Sequence, residues 1–74
     1  MKFRNRINLV TMSDVNDFSA AIAKVPGRIL LTDDNGCSVS ARSQLGLALA
    51  SLEWDAVYVI SETDIASSIM KWII

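Results

Sequence analysis

Between residues 35 and 52 the spacing of apolar side chains switches from a period of two to that of a helix. The stretch runs Asn-Gly-Cys-Ser-Val-Ser-Ala-Arg-Ser-Gln-Leu-Gly-Leu-Ala-Leu-Ala-Ser-Leu. Asn35-Gly36 is a hairpin signal, because a two-residue type I′ turn needs positive φ at both central positions. Cys37, Val39 and Ala41 then alternate with Ser38, Ser40 and Arg42, the pattern of a half-buried strand. From Ser43 onward, Leu45, Leu49 and Leu52 recur at spacings of four and three. A serine at such a junction can accept a hydrogen bond from a free N–H of the first turn, so Ser43 is expected to be an N-cap. A strand that leads directly into a capped helix needs a sheet and a helix layer to bury both.

The flanking sequence supplies them. Residues 2 to 12 read as a strand, with Phe3, Ile7 and Leu9 on one face and Arg4, Arg6, Asn8 and Val10 on the other. Arg4 and Arg6 form either a small basic site or a solvated strand face that discourages edge pairing. A helix is predicted from Ser13 or Asp14, its apolar stripe made by Val15, Phe18, Ile22 and Val25. Asp14 and Asp17 suit the positive end of that helix, and this accounts for them without acid–base catalysis. Pro26-Gly27 ends the helix.

A second strand spans 28–32, and Asp33-Asp34-Asn35-Gly36 turns the chain. Those oxygens lack the alternate spacing and closing glutamate of a calcium loop, so they read as a solvated turn. Gly46 within the next helix signals close packing or a bend. After Glu53-Trp54-Asp55, the β-branched run Val57 to Ile60 reads as a central strand. A last helix, capped by Ser61 or Thr63, would place Ile65, Ile69, Trp72 and Ile73 on one stripe and dock onto the sheet or another chain. Lys71 in its last turn suits the negative end of the dipole. The order βαββαβα predicts one α+β domain over 1–74, a four-stranded antiparallel sheet with helices on one face.

Composition narrows the function. The chain has no histidine and one cysteine, which removes serine–histidine and cysteine–histidine nucleophiles and the usual zinc ligand sets. Cys37 is then a small packing residue or an unremarkable surface thiol. A net charge of −1 provides no overall field toward nucleic acid or acidic membranes. The polar start of the chain does not resemble a signal peptide, and no apolar run reaches a membrane span. The expectations are a cytoplasmic, non-enzymatic protein without cofactor, acting on protein partners as a monomer or weak dimer.

Residues 35 to 60 resemble HPr, the histidine-containing phosphocarrier family of the sugar phosphotransferase system. Asn35 to Ser43 is similar to that family's third strand and its exit into a short helix, Leu45-Gly46 and Ser51-Leu52 fit the helix, and Val57 to Ile60 fits the fourth strand without a gap. The resemblance implies an HPr-like open-faced sandwich. It also locates a departure. The family's phosphocarrier histidine, closely followed by an arginine, corresponds to a segment that here carries Asn16, Asp17 and Phe18. An amide has no basic nitrogen to accept a phosphoryl group, and Asp17 repels one, so phosphohistidine relay is not expected. The family's regulatory serine corresponds to Ser43. The resemblance thus implies a regulatory protein-binding domain, phosphorylated at Ser43 and contacting a kinase or transcriptional regulator of sugar metabolism through Gln44, Leu45 and Ala48. Gln44 departs from the apolar residue usual at its position. The alternatives are that Ser43 is only a cap with Leu45 half in the core, and that the fold is reused as a structural or small-ligand module.

Overall fold

The computed structural model describes residues 2–74. Four strands, β1 (Phe3–Ile7), β2 (Ile29–Thr32), β3 (Ser38–Ser40) and β4 (Val57–Ser61), form one open antiparallel sheet in the order β1-β4-β2-β3. Helices α1 (Met12–Ala23), α2 (Gln44–Glu53) and α3 (Ala66–Ile69) cover one face, and a 3₁₀ turn, Met70–Trp72, follows α3. Val57-Tyr58-Val59-Ile60 is central, as its β-branched run predicts: Val57 and Val59 point into the core beside Ile7, Ile29 and Leu31.

The α1 stripe packs as its spacing requires, with Val15, Phe18, Ile22 and Val25 all buried. Its start differs from the Ser13 or Asp14 expected. Thr11 is the N-cap: its hydroxyl accepts from the Asp14 N–H at 3.1 Å, and Asp14 accepts in return from the Thr11 N–H at 3.3 Å. This reciprocal pairing satisfies donors that a helix beginning at Ser13 would leave free. It also ends the first strand early, at Ile7 rather than 12, although Leu9 is buried and Val10 exposed in keeping with the alternation.

The β2–β3 connection is not the type I′ turn that Asn35-Gly36 suggests. Only Gly36 takes a positive φ, +88°, and no non-glycine among the described residues has one. Asp33 organises the loop instead: its Oδ1 accepts from the N–H groups of Asn35 and Cys37 at 3.0 and 2.8 Å. The Asp33 N–H donates to the Cys37 carbonyl at 3.1 Å. A side chain that mimics a backbone turn thereby wins over the tighter two-residue loop. Cys37 is exposed, the surface-thiol alternative.

The last helix is shorter than predicted and capped by neither Ser61 nor Thr63. Ser61 is buried and its hydroxyl donates to the Thr63 carbonyl, while Asp64 accepts from the Ala66 N–H at 3.1 Å. Ile65, Ile69 and Trp72 enter the core, with Trp72 edge-on to Phe18 at 5.3 Å between ring centroids. Ile73 leaves the stripe and bridges to Ile7 on the outer side of β1, and the Ile74 N–H donates to the Arg6 carbonyl at 3.0 Å. The terminal segment docks onto the sheet edge.

Candidate functional site

The junction between β3 and α2 is built by a short sequence whose polar groups are nearly all used locally. Ala41 is fully buried and its N–H donates to the Ile29 carbonyl, which fixes the end of β3 against β2. The Ser40 hydroxyl then accepts from the Arg42 N–H, and the Ser43 N–H donates to the Ser40 carbonyl at 3.2 Å, which bends the chain toward the helix. Ser43 is the N-cap, exposed, with extended backbone at φ −87° and ψ 117°. Its Oγ accepts from the Gly46 N–H at 3.1 Å. The hydroxyl proton has no partner in that bond and the side chain faces solvent.

Gly46 explains how closely α2 sits on the sheet. A Cβ there would stand 3.2 Å from the Val39 Cβ and 3.4 Å from the Ser40 carbonyl oxygen. Close packing, not a bend, is the reason for the glycine. The core-facing side of α2 is Gly46, Leu47 and Ala50. Consequently the leucines at spacings of four and three turn away from the core: Leu45 is 72% exposed, Leu49 44% and Leu52 77%. That overturns the alternative with Leu45 half in the core. Ala48 is half-buried at their side, and α2 carries no charge before Glu53. The result is a narrow apolar seam next to the exposed serine, with the spacing that lets one helix lie along another.

Arg42, adjacent to Ser43, is committed elsewhere. Its guanidinium donates to the carbonyls of Ile22, Val25 and Gly27, closing the C-terminal end of α1. It is a tie between layers and not a ready partner for an anion on Ser43.

The segment Asn16-Asp17-Phe18 divides. Phe18 is fully buried on α1, so it forms no part of a surface. Asp17 is exposed and pairs with Lys71 at 3.8 Å, contacts too solvated to add much stability. Lys71 thus serves this pair from the 3₁₀ turn. Asn16 is exposed and its Oδ1 accepts from the Gln44 Nε2 at 3.0 Å. The amide clasp joins the second turn of α1 to the first residue of α2, and brings Asn16 to the edge of the Ser43–Gln44–Leu45 surface. Asp14 lies two residues earlier, in the first turn of α1. Backbone N–H groups of Val10 and Thr11 hold its carboxyl below the usual range, and the Trp72 indole and Lys71 add to that. By geometry, the indole N–H is buried with no hydrogen-bond partner among the described residues, so the Val10 and Thr11 N–H groups are the ones that hold the carboxylate.

No protein family, curated protein or solved structure matches this chain.

Elsewhere, a cleft of about 420 Å³ opens where the β2–β3 loop meets the end of α2, lined by Asp33, Asp34, Asn35, Glu53, Trp54 and Asp55. Asp33 already spends an oxygen on its own loop. Among the described residues no group of three or more acidic or thiol side chains is arranged to hold a metal ion, and no helix is long and apolar enough to cross a membrane. The molecule presents a small open-faced α+β domain with an exposed apolar seam along α2.

Proposed function

We propose that the chain is a non-catalytic, HPr-like regulatory domain that binds a protein partner through α2 and is controlled by phosphorylation of Ser43. The observation that carries this reading is the exposure of Leu45, Leu49 and Leu52 on a helix with no charge before Glu53, beside an exposed serine cap. Apolar side chains in a row on a solvated face are a common mark of a protein contact. Ser43, Gln44, Leu45 and Ala48 lie at one end of that row. The resemblance over residues 35 to 60 and the four-stranded sheet with helices on one face support the HPr-like assignment. Asn16 in the histidine's position, with its carbonyl oxygen already bound to Gln44, supports the loss of phosphoryl relay.

A phosphate on Ser43 would add about −1.5 to −2 charges at the start of α2, where free N–H groups and the helix dipole favour it. It would also border the leucine seam with a strongly hydrated group, and so change which partner helix fits there. The partner expected from the resemblance is a kinase or a transcriptional regulator of sugar metabolism. Incubation with an HPr kinase and ATP should add the mass of one phosphate to the protein and none to the Ser43→Ala variant. An unmodified protein beside a fully phosphorylated HPr control would overturn the regulatory part of the proposal.

The cleft beside Trp54 favours a second reading, in which the same fold serves as a small-ligand module. Line broadening confined to Trp54 and its neighbours on titration with a ligand, and none along α2, would favour that reading over the first.

A further inference from the structure

The overall charge of −1 conceals a segregation that becomes visible only once the strands are in register. Arg4 faces Ile60 and Arg6 faces Tyr58 across β1 and β4, and Leu30 and Thr32 face the same two residues from β2. These positions alternate with the buried set, so all of them belong to the face of the sheet that no helix covers. Lys2 and Arg28 join Leu30, Ile60 and Glu62 around a shallow depression at one end of that face. Four of the seven basic residues thus share one surface with a single acid, Glu62. Asp33, Asp34, Glu53 and Asp55 gather instead around the cleft beyond the other end of β2 and β4. No carboxylate among the described residues lies within ion-pairing distance of Lys2, Arg4, Arg6 or Arg28.

At the middle of the face the Arg4 guanidinium lies 3.9 Å from the centre of the Tyr58 ring. The contact keeps the Arg4 cation over the Tyr58 ring, on the face that also carries the half-buried side chains of Leu30 and Ile60. An open sheet face with an aromatic–guanidinium pair and a rim of cations offers base-stacking groups and phosphate partners together. An acidic peptide would use the cations but not the plane. A membrane surface would call for large exposed apolar groups, whereas Leu30 and Ile60 on this face are half-buried.

We propose that the open face of the sheet binds single-stranded nucleic acid, with Lys2, Arg4, Arg6 and Arg28 on the phosphodiesters and the Arg4–Tyr58 stack beneath a base. The surface is opposite α2 and independent of the function proposed above. Full engagement of these cations predicts a slope of log K against log salt near −2.8, from about −0.7 per phosphate on a single strand, hence a roughly 600-fold weakening over a tenfold rise in salt.

Fluorescence anisotropy of labelled oligouridylate and oligothymidylate provides the test, with a polyglutamate peptide and phosphatidylserine vesicles alongside. The expected result is binding of at least one oligonucleotide with a salt slope between about −2 and −3. The two oligonucleotides distinguish RNA from DNA. The double variant Arg4→Glu/Arg6→Glu, checked as folded by circular dichroism, should bind at least about tenfold more weakly, while Lys24→Glu on the helix side should stay within about twofold. Arg28→Glu provides a second reading if the double variant does not fold. Absence of any anisotropy change at about 1 mM protein in low salt would overturn the proposal. Equal or tighter binding of the peptide or the vesicles would overturn it too, as would a Lys24→Glu effect equal to that of Arg4→Glu/Arg6→Glu.

Discussion

The Arg42 guanidinium spans from the strand–helix junction to the far end of α1, where it donates to the Ile22 carbonyl of the last turn and to the Val25 and Gly27 carbonyls of the segment that follows. Bonds from a charged donor are worth more than neutral ones, so Arg42→Ala should lower stability by about 2 kcal/mol in urea unfolding. Arg42→Lys should recover only part of it, because an ammonium cannot reproduce the fork that reaches several carbonyls. None of this is legible in the sequence. Alternation places Arg42 on the solvent side of a strand, and only the packing of α1 beside α2 shows where a long side chain finds acceptors. Gly46 is the opposite case: a glycine inside a helix announces a close approach, and the 3.2 Å gap to Val39 supplies it. Gly46→Val should destabilise by about 1–3 kcal/mol, since its γ carbons would overlap a strand that is already in contact. The amide pair of Asn16 and Gln44 gives a third lesson. Each looks like an isolated departure from the HPr pattern, and together they are one hydrogen bond.

At the scale of elements, the two longer helices show where periodicity is informative and where it misleads. In α1 the stripe is the core face. In α2 the stripe of larger residues is the solvent face, because Gly46 and Ala50 let the helix lie close to the sheet and leave room for only Leu47 among the leucines. Spacing alone cannot tell a stripe that meets its own sheet from one that awaits something else. Leu47→Ala should therefore cost about 2–5 kcal/mol, whereas Leu45→Ser and Leu52→Ser should each stay within about 0.5 kcal/mol of the parent. Equilibrium unfolding of the set separates the faces: equal losses at all three positions would contradict the placement of α2. The start of α1 carries a pH dependence of definite sign. The Asp14 carboxyl is held below its ordinary value of 3.8 by the Val10 and Thr11 N–H groups. Its contribution is thus complete above about pH 4–5 and fades as pH falls through the lower, folded value. Asp14→Asn should flatten the fall in urea midpoint between pH 5 and about pH 3 while leaving the slope above pH 6 unchanged.

Across the whole molecule, strand number, order of elements and the identity of the central strand were readable from spacing and punctuation, since each reflects burial of one face. The closing of the outer edge was not. Ile73 reads as the tail of a helical stripe, yet it and Ile74 run along β1 and satisfy part of its free backbone. Shortening the last helix to a single turn and a 3₁₀ turn is what frees them to do so. A protein lacking both residues should keep its sheet and leave the Arg6–Ile7 end of the outer β1 edge without its partner, so that the whole outer edge of the strand is open. Sedimentation velocity should then show concentration-dependent association that the intact chain does not.

One consequence follows from the placement of every helix on the same side. The leucine seam of α2 and the cationic plane of the sheet point in opposite directions, with the strands and the core between them. Occupants of the two surfaces have no common footprint to contest, so each can arrive or leave without displacing the other. A domain of this shape works geometrically as a washer: whatever it holds on one side is kept one helix and one sheet away from whatever it holds on the other.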